Sequence, residues 1–229
     1  MKSPFSDLTK FERGLWITSI AVIIASFLLS RGGDILTLIA SLIGVTALIF
    51  VAKGYVLGQV LTVVFSVFYG IISFIFSYYG EMITYLLMTT PMAILAIISW
   101  KKHPFKDTKE VEVSHVSKTQ ILLMIALSII VTAGFYFILK ALNTANLILS
   151  TFSVTTSFVA VYLTYLRSPY YALGYSANDL VLIGLWVFAS IESISYLPMV
   201  FCFIMFLAND IYGFINWKKM QSIQKRNSF

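Results

Sequence analysis

Eight apolar runs, each about the length of one membrane crossing, fill this chain and leave only short polar breaks between them. A helix needs about 20 apolar residues to cross a hydrocarbon core about 30 Å thick. The runs are Leu15–Ser30, Ile35–Ala52, Tyr55–Tyr78, Met82–Trp100, Gln120–Leu139, Leu147–Leu166, Tyr170–Ser190 and Tyr196–Trp217. Eight crossings use most of the 229 residues, so the sequence predicts one all-α integral membrane domain over 1–229. Composition agrees. A soluble domain carries about 25% charged residues to cover its surface, and this chain carries 11%. The single cysteine, Cys202, excludes an internal disulfide. Residues 1–12 are polar and lack the order of a secretory signal, so the first run is expected to be retained as a span.

The net charge of +6 is read as membrane topology and not as a nucleic-acid surface. With eight spans, one side holds Lys2, Lys10, Arg13, Lys53, Lys101, Lys102, Lys106, Lys109, Lys118, Arg167, Lys218, Lys219, Lys225 and Arg226. The other side holds only Arg31 and Lys140. One span more or fewer would destroy that asymmetry. The rich side is expected in the cytoplasm, with both chain ends there.

The sequence also repeats. SLIGVTALIFVAKGYVLG (41–58) resembles SFVAVYLTYLRSPYYALG (157–174) at an offset of 116, and LAIISWKK (95–102) resembles YGFINWKK (212–219) at 117. Met88 and Met205 share the second offset. The unit is three helices, about 35–100 and about 147–217, joined by a linker helix at about 120–139 and preceded by an extra N-terminal helix. Three helices plus one linker make an even number, so the copies point the same way. Parallel repeats of the SWEET-like kind place a substrate near the midplane between the copies. The plainer alternative is a duplication with no transport role.

Polar groups inside lipid are costly and usually face a cavity or another helix. Gln59, Thr62, Ser66 and Tyr69 share one stripe of the third run. Tyr171, Tyr175 and Asn178 form a stripe on the seventh, with Asp179 beside it. Asn209, Tyr212 and Asn216 line up on the eighth, with Asp210 beside Asn209. Thr89, Thr90 and Pro91 interrupt the fourth, where proline frees a backbone carbonyl. By the repeat offset Gln59 matches Tyr175 and Thr62 matches Asn178, so both stripes should face one central space. Aromatic walls suit a flat heterocycle or a cation, and amides and carboxylates suit sugar hydroxyls. Asp210 could also pair with a basic group or take a proton. The plain reading of the Ser, Thr, Asn and Tyr residues is helix–helix glue and interfacial belts. Trp100 and Trp186 are read as packing or interface residues, and Glu81 and Glu192, near span ends, as solvated.

The sequence holds no Gly-rich phosphate loop, so no ATP engine is visible. His103 and His115 lack ligand spacing, so neither a metal nor another cofactor is expected. No nucleophile–base set clusters on one face, which argues against an enzyme.

The helix count, the parallel three-helix repeat and the segment ANDIYGFINW (208–217) together resemble the Pnu family of bacterial vitamin and nucleoside transporters, to which the PnuC-like nicotinamide riboside transporters belong. The resemblance covers the second to the eighth run. Asn209 or Asp210, Gly213 and Trp217 stand for the family's N-x-x-G-x-x-x-W. Tyr171, Gly174 and Asn178 stand where relatives often show W-x-x-W-x-x-x-N, keeping the asparagine without the tryptophans. The resemblance implies a homotrimer in the bacterial inner membrane that works by facilitated diffusion, with a cytoplasmic kinase trapping the substrate. It implies a nucleoside-like vitamin as substrate, most simply nicotinamide riboside, with a deoxynucleoside or thiamine as alternatives. A substrate-capturing subunit that needs an ATPase partner is a further alternative.

Overall fold

The computed structural model describes residues 3–30, 35–75, 78–144 and 146–227; Lys2 and Arg31 of the charge pattern and residues 76–77 of the third run lie outside the described residues. A short turn, Pro4–Asp7, leads into α1 (Lys10–Leu29). A capping box opens α1: the Thr9 side chain accepts from the Glu12 N–H, and the Glu12 carboxylate accepts from the Thr9 N–H at 2.6 Å. There follow α2 (Ile35–Ala52), α3 (Val56–Ile75), α4 (Tyr79–Ile83) and α5 (Thr90–Lys102). A second capping box, Ser117 with Gln120, opens α6 (Lys118–Ala141). The chain ends with α7 (Leu147–Tyr165), α8 (Tyr171–Glu192) and α9 (Leu197–Arg226). Among the described residues, eight helical rods are long and apolar enough to cross a membrane, with α4 and α5 counting as one.

The α4–α5 rod is not a plain helix. A wider turn with π geometry, Thr84–Thr89, joins its halves. Proline explains its place. Pro91 has no N–H, so the normal ladder cannot continue through it. The ladder instead slips by one residue just upstream: the Thr90 N–H and the Thr90 hydroxyl both donate to the Tyr85 carbonyl, the hydroxyl at 2.8 Å. Such bulges re-aim side chains and cluster at functional sites.

The segments expected on the positive side meet at one end of the bundle, around the loop between α5 and α6. The Val111 N–H donates to the Gly54 carbonyl at 2.9 Å. Gln224 brackets the loop, accepting from the Val113 N–H at 2.8 Å and donating to the Val111 carbonyl at 3.0 Å. Arg167 Nε donates to the Glu112 carbonyl, Lys106 Nζ to the Asn227 carbonyl, and Lys109 pairs with Asp7 at 2.6 Å. Thus the N-terminal segment, the α2–α3 turn, the α7–α8 turn and the end of α9 are tied to one loop.

The core is built by pairs of helices. α2 packs on α3 and α9, while α7 packs on α8 and α5. Two tryptophans make reciprocal contacts. Trp100 on α5 donates to the Thr164 carbonyl of α7 at 3.0 Å, and Trp217 on α9 donates to the Val51 carbonyl of α2 at 2.8 Å. Their rings meet with centroids 5.3 Å apart. Trp100, Trp217 and Trp186 are all buried, so Trp100 and Trp186 are packing residues and not interface residues. Gly174 lets α8 abut α7, since a Cβ there would sit 2.8 Å from Ala160 Cα. Small residues at helix contacts replace the hydrophobic drive that lipid removes. α6 is peripheral, burying only Ser128 and Leu139.

α1 is held by polar contacts. Lys53 Nζ donates to both Glu12 carboxylate oxygens, at 3.2 and 3.1 Å, and the Tyr212 hydroxyl donates to Glu12 Oε1 at 2.8 Å. Further along, Asn209 Nδ2 donates to Ser19 Oγ at 3.0 Å.

Candidate substrate-binding site

Five rods enclose a cavity near the middle of the bundle. α2 supplies Gly44, Ala47, Leu48 and Val51, and α3 supplies Gln59, Thr62 and Phe65. The bent rod supplies Tyr85 and Thr89, α8 supplies Tyr175, Asn178 and Asp179, and α9 closes it with Phe206 and Asp210. About 40 Å³ is open to the centres of water-sized molecules, room for a few waters. The walls must therefore part before a nucleoside-sized molecule can enter.

Seven of the expected residues border this space: Gln59, Thr62, Thr89, Tyr175, Asn178, Asp179 and Asp210. The two matched pairs, Gln59 with Tyr175 and Thr62 with Asn178, do face one cavity. The other six lie elsewhere. The Ser66 hydroxyl donates to the Thr62 carbonyl, and that of Thr90 to the Tyr85 carbonyl. Tyr69 is fully buried behind the wall, its hydroxyl accepting from Trp186 Nε1 at 3.0 Å. Tyr171 packs edge-on against Trp217, with centroids 4.9 Å apart. Asn209 and Tyr212 face α1. Their spacing on the helix is regular, but the regular face is the one that holds the N-terminal helix.

Aromatic layers flank the cavity. Near the loop end, Tyr171, Trp217 and Trp100 form one layer. Toward the other end Tyr69 stacks on Phe65 at 5.5 Å and lies 4.4 Å from the Tyr85 ring. The π turn brings Tyr85 into both this layer and the cavity wall.

Asn178 is oriented by α7. Its Oδ1 is approached by the hydroxyls of Ser153 at 3.2 Å, Thr156 at 3.0 Å and Ser157 at 3.0 Å. An amide oxygen has two lone pairs, so one hydroxyl must turn away, and Thr156 has the Phe152 carbonyl at 2.9 Å as its alternative. The oxygen is saturated, which leaves the Nδ2 donors for the cavity. Sequence reading missed these three hydroxyls, although their spacing puts them on one helical face.

Glu81 is a correction. Its position near a span end suggested a solvated side chain, but it is only 3% exposed, whereas Glu192 is exposed. α4 turns Glu81 inward onto Ser153, while its Oε2 has no partner among the described residues. Ser153 thus stands between Glu81 and Asn178. Asp179 and Asp210 lie within hydrogen-bond reach of each other, both 3% exposed.

A bundle of eight lipid-spanning rods around a small pocket with amides and carboxyls in its wall defines a multi-pass membrane carrier. A family model described as nicotinamide mononucleotide transporter matches residues 34–219. The nicotinamide riboside transporter PnuC of Neisseria mucosa is 30% identical over 222 residues, covering 94% of this chain and 84% of the relative. The crystal structure of the vitamin B3 transporter PnuC superposes with a TM-score of 0.82 at 26% identity, over 95% of this chain and 94% of that one. The chain belongs to the nicotinamide mononucleotide transporter family, a family of membrane transport proteins and not of enzymes.

Proposed function

We propose that this protein carries nicotinamide riboside, or a nucleoside-like vitamin of the same build, across the bacterial inner membrane by facilitated diffusion. The observation that carries the reading is the cavity in which an amide held by α7, a second amide and two carboxyls stand among aromatic rings. Rings suit the flat base, and the amides and carboxyls suit ribose hydroxyls. The name of the Neisseria relative gives nicotinamide riboside first place. A deoxynucleoside or thiamine fits the same chemistry as the second choice.

In this reading two three-helix units, α2 to α5 and α7 to α9, are related by an axis along the membrane normal. The reciprocal Trp100 and Trp217 contacts support it. So do the left-handed residues that close the first helix of each unit, Gly54 and Arg167. They stand 113 apart, not 116, and the turn before α8 spans five residues where the turn before α3 spans three. α1 is then an addition to a seven-helix core. The loop-bearing end with most of the basic residues faces the cytoplasm, as does each chain end. The exposed apolar face of α6 suits a homotrimer contact, and a cytoplasmic kinase would trap what enters.

Calorimetry of the purified protein with nicotinamide riboside, thymidine and thiamine tests the substrate class. Heat is expected with nicotinamide riboside, and none with any of the three ends the reading. Uptake into liposomes holding this protein alone is expected. Its failure where binding succeeds would point to a capture subunit that needs an ATPase.

A further inference from the structure

Carriage of a vitamin, on which this inference rests, does not explain why two carboxyl groups meet inside lipid with no cation between them. Asp179 on α8 and Asp210 on α9 reach each other and border one cavity. Among the described residues, no lysine, arginine or histidine borders that cavity, and Asp179 Oδ2 receives no hydrogen bond from another residue. Two ionised carboxylates so close, in a medium of low dielectric, repel strongly. A hydrogen bond between them requires one proton shared by the pair. The pair with its proton carries one negative charge.

Gln59 gives an independent sign of a ligand. It is 2% exposed, it borders the cavity from α3, and its amide makes no hydrogen bond among the described residues. A buried amide is normally satisfied, so this one is placed for a polar atom that comes and goes.

We propose that Asp179 and Asp210 form an exchange site in which the positive charge of an organic monocation replaces the shared proton. As the cation enters, the O–H bond of the protonated carboxyl breaks and that proton leaves to water. Both carboxylates then face the cation. No covalent bond forms, and the cavity holds a net charge of minus one before and after loading. The loaded and unloaded carriers therefore place the same charge in the middle of the bilayer, where any change in charge would be costly, and the returning carrier brings out one proton for each cation delivered, so the diffusion proposed above runs as a one-for-one cation–proton exchange. Gln59 and Asn178 hold the uncharged part of the substrate.

The groups around the pair leave it as the exchanging centre. Tyr175 on α8 and Tyr85 in the π turn border the same cavity, and Tyr171 on α8 and Cys202 on α9 are the other titratable groups near the pair. α2 and α3 line the cavity there with uncharged residues only. On α1, Glu12 is engaged by Lys53 and Tyr212, and on α4 Glu81 is turned to Ser153 on α7.

The test is calorimetry with nicotinamide riboside and thiamine, at one pH, in two buffers of different ionisation enthalpy. Release of about one proton per cation bound is expected, with affinity rising about tenfold per pH unit while the pair holds its proton. The reduced, uncharged dihydropyridine form of nicotinamide riboside should bind more weakly and release none. In the double variant Asp179→Asn/Asp210→Asn, cation affinity should fall about tenfold or more and proton release should vanish. Retained binding of the uncharged form would show that this variant is folded. Cation binding to the unaltered protein without proton release overturns the inference, as does a double variant that still releases a proton. Absence of heat with every probe overturns the proposed function itself, whereas heat without proton release overturns the exchange alone.

Discussion

Asn209 and Asp210 are neighbours on α9 and live in different chemistry. Asn209 turns to α1, where its Nδ2 donates to Ser19 Oγ at 3.0 Å and back to the Met205 carbonyl at 2.7 Å. Tyr212, three residues on, reaches Glu12 on the same side. Asp210 turns into the cavity, where no basic residue meets it. One step along a helix is about 100° of rotation, enough to move a side chain from a seam to a pocket. The two faces differ in what their charged groups meet, although Asn209 Oδ1 on the seam is itself left without a partner among the described residues. The α1 seam is built around a closed network in which Glu12 binds Lys53, Tyr212 and the Thr9 N–H. The cavity face keeps Gln59 and Asp179 with unfilled hydrogen-bonding capacity. The charged groups of the seam are paired within the fold, whereas the carboxyls at the cavity meet no cation among the described residues.

That contrast can be broken by substitutions on each face. The largest effect belongs to the seam. Lys53→Met leaves Glu12 buried without its cation, so thermal unfolding in detergent should show a loss of about 3–5 kcal/mol. Substrate affinity of the folded fraction should be unchanged. On the cavity face, Asn178→Ala removes the aimed amide and should weaken nicotinamide riboside binding about tenfold in calorimetry, while also costing about 1 kcal/mol of stability because the α7 hydroxyls lose their acceptor. Asn209→Ala should cost a similar amount of stability, about 1 kcal/mol, and leave affinity intact. Equal loss of affinity in Asn178→Ala and Asn209→Ala would erase the distinction between the two faces.

The smallest effect lies outside the membrane. The hydrogen bond from Lys109 holds the Asp7 carboxyl below its ordinary range. A lowered carboxyl contributes stability above the ordinary aspartate value, and that contribution is lost as pH falls through the folded value. Below about pH 4 the unaltered protein should therefore lose its slight stability advantage over Lys109→Ala in thermal melts. An advantage that grows with acid would reverse the sign.

Much of the architecture was legible because lipid imposes a simple rule: every crossing needs a long apolar run, and charges collect between the runs. Hence the eight rods and the grouping of Lys53, Arg167 and the α9 end around one loop followed from counting. The site was only half legible. Periodicity put Gln59 and Thr62 on one face, and the internal repeat paired them with Tyr175 and Asn178 across the cavity. Periodicity could not say which polar stripe of α9 faced the pocket, because Asn209, Tyr212 and Asn216 are spaced as well as any ligand set. It also placed Glu81 in water, since a carboxylate at a span end is ordinarily solvated, and it gave no weight to Tyr85, which enters the wall only through a slipped turn.

The sequence alone determined that this chain lives in a membrane, how often it crosses, and which side chains are too polar to lie idle there. These are properties of local composition, read residue by residue against the cost of burying charge in lipid. Only the tertiary structure decided which polar group met which. The burial of Glu12 against Lys53, the turning of Glu81 onto Ser153 and the meeting of Asp179 with Asp210 join residues far apart in the chain. Such pairings depend on how helices rotate about their own axes as they pack, and no single helix carries that information.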